Sequence, residues 1–466
     1  MACAIATLVL VACGNLPSQN AYERPALDVP AVSANQVADA NWLTWWKGFQ
    51  DPVLDAYLAE AASQSQDLVL ATARIAEARA ALGQTQSNLY PQVDLNAGLS
   101  RSRTSQNAAT YSPVIGPYAN SAQLGLTASY EIDFWGKYAS ATDAARSRML
   151  AQTAGRGVVL TTLYANVAQS YFALRALDAQ LTLAEQALAT RQENLRLQKR
   201  RFESGVVGEL DVRQAESEAA SSQATLRLTQ QNRSNAESAL ALLLGRKPTD
   251  IFKPNLVRGA SVGTLVTRQT IPSEWPSDVL ARRPDIVSAE QNLIAAHADI
   301  QQARAAYFPK LSLTATYGQQ SQHLSSLLDP ASMFWNMLGN LAQPIFRAGA
   351  IDAVVAAATA REQQAVAQYT QAVQSAFRDV HDALNNVDAG RDLTGVTSQR
   401  IEALRSTLRL AELRYKVGYS PYLEVLNAQR DLAQAESGLI DIQRGQLSAV
   451  VNLYKSVGGG WDAAKP

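Results

Sequence analysis

The feature that most limits what this chain can become is that its pattern is laid down twice. Leu89-Tyr90-Pro91-Gln92-Val93-Asp94-Leu95 returns as Tyr307-Phe308-Pro309-Lys310-Leu311-Ser312-Leu313. Each copy closes an Ala- and Gln-rich helical stretch with an aromatic, a proline and an alternating run. Arg201-Phe202-Glu203-Ser204-Gly205, followed by Leu210-Asp211-Val212, returns as Arg414-Tyr415-Lys416-Val417-Gly418 with Leu423-Glu424-Val425. Repetition of this kind points to one supersecondary unit used twice. The unit reads as a helix, two strands and a long helical hairpin.

Inside the hairpins, apolar residues recur in alternating steps of three and four, the period of a coiled coil. From Leu160 the seam runs through Leu163, Val167, Ser170, Leu174, Leu177, Leu181, Ala184, Leu188, Arg191, Leu195, Gln198 and Phe202. The second copy runs through Val366, Tyr369, Val373, Ala376, Val380, Ala383 and Val387, weakens among glycine and polar residues, and resumes at Ile401, Leu404, Leu408, Ala411 and Tyr415. A helix over Ala139 to Phe202 would be about 95 Å long at ~1.5 Å per residue, longer than any compact domain. Its many alanines let neighbouring helices approach closely, which suits packing in a larger assembly. A free-standing coiled-coil fibre shares this period.

Strand signals separate the chain from a fibre. Val93, Leu95, Ala97 and Leu99 alternate with Asp94, Asn96, Gly98 and Ser100. Leu124, Leu126, Ala128, Tyr130, Ile132 and Phe134 alternate with polar or glycine neighbours, as do Leu311, Leu313, Ala315 and Tyr317. A fourth run, around Phe334 to Phe346, is poorer. Each can supply the roughly 9–11 residues of a tilted membrane strand, with Tyr90, Trp135, Phe308 and Trp335 near the ends where aromatic girdles sit. A soluble sandwich shows similar alternation. In a membrane, however, four strands cannot close a barrel, and an open edge in lipid leaves backbone groups unsatisfied. A spanning barrel must therefore draw strands from several copies.

The N-terminus carries an apolar run, Ala4 to Ala12, ending Leu10-Val11-Ala12-Cys13. This matches the lipobox of bacterial lipoproteins, with Cys13 the residue to be lipidated; an ordinary secretory signal with a chance cysteine is the alternative. Gly14, in place of aspartate, favours sorting onward to the outer membrane. No Lys or Arg precedes the run, so either the true start lies upstream or the basic region has been lost. Cys3 and Cys13 are the only cysteines, which excludes an internal disulfide or a cysteine metal site in the body of the protein. No later segment approaches the roughly 20 apolar residues of a spanning helix. The expected organisation is a signal peptide over 1–12, an anchored segment over 13–55, a first repeat over 56–245, a Pro-rich connector over 246–282, a second repeat over 283–457 and a tail over 458–466.

Charge and motifs exclude most other functions. Lys plus Arg (41) equals Asp plus Glu (41), so no global field favours nucleic acid. The three histidines, His297, His323 and His381, show no metal-ligand spacing, and no Gly-Lys-Ser/Thr phosphate loop is present. Gly458-Gly459-Gly460 reads as a helix stop before Trp461. The chain is therefore expected to be no enzyme and to need no cofactor.

These elements in this order resemble the TolC family of outer-membrane efflux channels, and within it the NodT- and OprM-like lipoprotein branch. The resemblance covers the mature chain and rests on three segments. They are Trp45-Trp46-Lys47-Gly48-Phe49-Gln50-Asp51-Pro52, Tyr130-Glu131-Ile132-Asp133-Phe134-Trp135-Gly136, and Ile271-Pro272 through Leu280-Ala281-Arg282-Arg283-Pro284-Asp285-Ile286. It implies an α+β membrane protein: a homotrimer with a twelve-stranded β-barrel continued by a twelve-helix α-barrel. It implies a passive exit duct in the outer membrane of a Gram-negative bacterium, in contact with outer-membrane lipid. A periplasmic adaptor and an inner-membrane pump of the RND type would deliver its solutes. Gly205 and Gly418 match the hairpin tips that meet the adaptor. Asp211, Tyr415 and Glu424 match residues that help hold related tunnels closed, and Leu423 matches a constricting apolar position. Asn427 departs from the pattern where relatives often carry a second aspartate, as does Ser420 where the archetype has a basic residue. Both departures weaken the expected gate. For Asp211 and Glu424, helix capping or first-turn complementarity to the dipole explains the same residues. Two other roles fit the pattern: the exit duct of a type I protein-secretion system, and a lipid-anchored periplasmic scaffold.

Overall fold

The computed structural model describes residues 22–25, 40–109, 111–114, 116–268 and 282–462. The lipobox and Cys13, part of the connector and the last four residues lie outside the described residues. After a 3₁₀ segment, Ala40–Phe49, come α1 (Pro52–Gln64), α2 (Gln66–Ser87), β1 (Gln92–Arg103), β2 (Tyr118–Ile132), α3 (Lys137–Glu203) and α4 (Glu209–Leu243). Two short helices, α5 (Pro248–Phe252) and α6 (Val262–Thr267), belong to the connector. The second repeat follows as α7 (Pro284–Arg304), β3 (Lys310–Ser321), β4 (Met333–Ala342), α8 (Ala350–Lys416) and α9 (Tyr422–Ser456). The duplication is quantitative: helices of 67 and 35 residues form the first hairpin, and helices of 67 and 35 residues form the second.

Each 67-residue helix corresponds to about 100 Å of rod. Most of the seam read from the sequence is the buried face: Leu163, Val167, Leu174, Ala184, Leu188, Arg191 and Gln198 are buried on α3, and Tyr369, Ala376, Ala383, Val387, Ile401 and Ala411 on α8, whereas Phe202, at the tip where the first seam ends, is exposed. The lapse in the second seam does not interrupt α8, because helical hydrogen bonds run within the segment whatever its outer face meets. At the lapse Gly390 lies against Gln446 of α9, and the Thr394 hydroxyl donates to the Gln446 side-chain Oε1 at 3.1 Å.

The chain forms two compact units. The second, residues 28–73, 153–287 and 371–466, holds the main core. Here the Trp45 to Pro52 motif is architectural. Trp45 stacks on Tyr454 at 5.5 Å, and Phe49 packs against Phe172 at 4.9 Å. Asp51 is the N-cap of α1, and Pro52 follows it in the first turn, where its missing N–H costs little. The Asp51 carboxylate accepts from Val53 N at 3.0 Å, the Tyr171 hydroxyl at 2.6 Å and Ala260 N at 3.1 Å, joining the cap, α3 and the connector. Arg283 plays the matching part at the second repeat. It donates to both oxygens of Asp285, at 3.0 and 2.7 Å, to Asp379 at 3.2 Å and to the Ser456 carbonyl at 2.8 Å.

The first unit, residues 1–27, 74–152 and 288–370, holds one antiparallel sheet of order β1-β2-β3-β4. The registers place Leu95 beside Leu126, Leu126 beside Tyr317 and Tyr317 beside Trp335. The fourth strand ends at Ala342 rather than near Phe346, because Pro344 cannot donate to a ladder. At the helical end Trp135 stacks on Phe308 at 4.7 Å and donates to the Pro309 carbonyl at 2.8 Å.

Candidate functional site

Two regions carry the chemistry of the chain: the faces of the sheet and the tips of the hairpins. On the sheet, strand alternation combined with the register sorts side chains by polarity. One face carries Val93, Leu95, Leu99, Trp335 and Met337, each between 64% and 76% exposed. The other carries Asp94, Asn96, Thr127, Thr316 and Asn340, with Asn96 donating to Thr127 at 3.2 Å and the Thr127 and Thr316 hydroxyls 3.5 Å apart. An exposed apolar surface of this extent marks a surface built to be covered. Strands β1 and β4 are the two edges of the sheet.

Both hairpin tips use the same turn. Gly205 (φ +71°) and Gly418 (φ +80°) take the left-handed conformation that ends each long helix. Val206 N donates to Arg201 O at 2.8 Å and Gly205 N to Phe202 O at 2.9 Å. Tyr419 N to Arg414 O, at 2.9 Å, and Gly418 N to Tyr415 O, at 3.1 Å, repeat the pair. The N-cap positions of the next helices are Gly208 and Pro421, neither of which offers a side-chain cap. Asp211 and Glu424 lie in the first turns of α4 and α9 as acidic complements to the helix dipole, not as N-caps.

Tyr415 joins the two hairpins. Its hydroxyl oxygen accepts from Arg201 Nη1 at 2.7 Å and from Gln198 Nε2 at 3.0 Å, and the Arg201 guanidinium carbon lies 5.2 Å from the ring centroid. The ring also packs on Tyr422 at 5.4 Å. Burial pushes the Tyr422 phenol upward against the opposing pull of Arg191, and the charge of Asp211 adds to the rise. Among the described residues Glu424 pairs with Arg414 of its own hairpin, at 4.0 Å with both side chains exposed, a pair worth little in water. Leu423 and Asn427 are exposed on α9, and Ser420 is buried with no partner for its hydroxyl among the described residues.

Sequence reasoning missed the second half of this junction. Buried Arg191 of α3 donates to Gln429 of α9 and lies 3.9 Å from Glu218 of α4, while Arg430 of α9 pairs with the same Glu218. Burial holds the Arg191 guanidinium below its ordinary pKa, with Glu218 opposing. The signal was present: Arg191 and Gln198 interrupt a mostly apolar seam, and a polar residue there fixes register and partner. Among the described residues no group of His, Cys, Asp and Glu could hold a metal ion, and no helix is long and apolar enough to cross a membrane.

Known proteins resemble the chain across both repeats. The profile of the family described as outer membrane efflux protein matches residues 57–246 and 275–459, one segment for each repeat. The Cation efflux system protein CusC of Escherichia coli K12 is 32% identical over 97% of each chain. The Pyoverdine export outer membrane protein OpmQ of Pseudomonas putida KT2440 is 35% identical over 91% of this chain and 89% of that one. Among solved structures, CusC in a study of its folding and transmembrane channel formation superposes with a TM-score of 0.84 at 33% identity, covering 94% of this chain and 98% of that one. The open-state MtrE outer membrane channel of Neisseria gonorrhoeae gives a TM-score of 0.80 at 31% identity, covering 94% and 97%. The chain belongs to the outer membrane efflux protein family, the TolC-type channels.

Proposed function

We propose that the chain works as a homotrimer whose sheets close edge to edge into one transmembrane barrel and whose long helices form a periplasmic tunnel, a conduit with no chemistry of its own. As a member of its family it is a non-catalytic outer-membrane exit duct for small molecules. The observation that carries closure by several copies is the sheet, apolar on one exposed face, polar on the other, and ending in two edge strands, while the number three comes from likeness to the family. Four strands cannot close alone, and in lipid no edge can stay unpaired. The long β1–β2 and β3–β4 connections then face the exterior, as the longer loops of such barrels do.

In this reading a periplasmic adaptor meets the tips around Gly205 and Gly418, where Val206 and Tyr419 are exposed, and an inner-membrane RND-type pump supplies the energy. Asp211, Leu423, Glu424 and Asn427 line the aperture, and Tyr415 is its latch. Arg201 gives the latch the cation that Ser420 does not. Cys13 anchors the chain by lipid, a reading supported by the lipobox and consistent with the NodT- and OprM-like branch. Relatives named for cations, pyoverdine and toluene support a duct for small solutes over one for secreted protein. Protein extracted in mild detergent should run as a heat-modifiable trimer. A protein that is a soluble monomer once Cys13 is removed would refute the barrel and leave the scaffold.

A further inference from the structure

On β1, the positions that carry Val93, Leu95 and Leu99 continue outward to Arg101 and Arg103. The register pairs Arg103 with Tyr118 and Arg101 with Asn120, so Tyr118 belongs to the same face. Both guanidinium carbons lie over this one ring, at 5.4 Å for Arg101 and 5.7 Å for Arg103, within cation–π range. Two cations are thus gathered on a single phenol. Neither takes part in an ion pair among the described residues, and no Asp or Glu lies between Asp94 and Glu131.

The position along the strand is informative. Arg101 and Arg103 lie about 27 and 34 Å beyond Val93 at ~3.4 Å per residue, or about 21 and 26 Å of height at a tilt of ~40°. The apolar band of an outer-membrane barrel is ~25 Å tall, so the pair falls where hydrocarbon gives way to headgroups. That level of an outer leaflet carries the phosphates of phosphorylated glycolipids, and arginine matches phosphate with a planar fork of donors. An anion between the guanidiniums would relieve their mutual repulsion.

We propose that Arg101 and Arg103, gathered over Tyr118 at the loop end of the apolar face, bind the phosphate of an outer-leaflet phosphorylated glycolipid. The inference rests on the barrel reading above. It assigns the pair a ligand rather than a place among solvated rim charges.

The test uses the full-length protein purified from outer membranes in mild detergent. Native mass spectrometry should find the phosphorylated glycolipid on the wild-type trimer, and R101Q/R103Q should lower its occupancy about tenfold or more. Delipidated wild type should bind a bis-phosphorylated glucosamine-disaccharide lipid and discriminate against its dephosphorylated form; the double variant should not discriminate. Equal occupancy in the two proteins, or equal binding of both lipids by wild type, would overturn the proposal. Asp329, in the β3–β4 connection, supplies the internal alternative. If D329N lowers trimer heat stability as much as R101Q/R103Q does while glycolipid occupancy stays constant, the arginines pair with a neighbouring copy and the proposal fails. The same samples are scored for trimer formation and conductance. A conducting trimer with no lipid difference defeats only this inference, whereas a wild type that forms no trimer defeats the barrel reading too.

Discussion

Asp51 and Tyr171 show how single residues in the family motifs work as fasteners. One carboxylate, wholly enclosed, accepts the cap amide of α1, the Tyr171 hydroxyl and the amide of Ala260. Asp51→Ala would remove the cap and strand a buried hydroxyl and a half-buried amide, lowering stability by about 2–4 kcal/mol. Thermal unfolding of the purified protein should show the loss, and an unchanged midpoint would contradict this account of the motif. Tyr171 adds a pH signature. Burial, and then the bond to Asp51, raises its phenol well above the ordinary value. Below pH ~10 both folded and unfolded chains keep the proton. Above it the unfolded phenol ionises first, the folded chain holds more protons, and stability falls as pH rises. Tyr171→Phe should therefore be less stable at neutral pH but lose less on going above pH ~10. Parallel stability curves for the two proteins would count against the assignment.

At the scale of elements, the sheet depends on backbone contact as well as on alternation. Gly318 faces Gly125 across the β2–β3 ladder, and a Cβ at Gly318 would fall on the Leu124 carbonyl oxygen. Backbone atoms cannot swing aside, so Gly318→Ala should cost about 2 kcal/mol or more and deplete the heat-stable trimer. Gly98→Ala, where the added Cβ meets nothing within 4 Å, should be tolerated, and equal damage from both would contradict the packing argument. The elements themselves were largely legible in the sequence. The seam from Leu163 to Gln198 and the alternation from Val93 to Leu99 each follow one period, because each element buries or exposes a single face. The fourth strand was less clear because Phe334 and Leu338 put apolar residues on the polar face. The tips were legible as glycine turns, but the junction was not. Arg191 with Gln429, Glu218 with Arg430, and Arg201 with Tyr415 meet only when two hairpins remote in sequence pack together. Periodicity marks a seam position without naming its partner.

For the whole molecule, the duplicated chain supplies two hairpins and four strands, a repeating part of a ring rather than a finished channel. Tyr415 of the second hairpin is held by Gln198 and Arg201 of the first. In the proposed gate this makes Tyr415 a latch, and opening at the tips would break these hydrogen bonds between hairpins. Removing the hydroxyl in Tyr415→Phe, together with Arg201→Ala, takes away bonds of about 1–3 kcal/mol each, enough to shift an open–closed balance severalfold or more. Conductance of the purified protein in planar bilayers tests the central claim most directly. The account predicts discrete channel steps from wild type, and a larger conductance or open fraction from the Tyr415→Phe/Arg201→Ala variant. A pure, correctly folded trimer that never conducts, even with the latch removed, would contradict it.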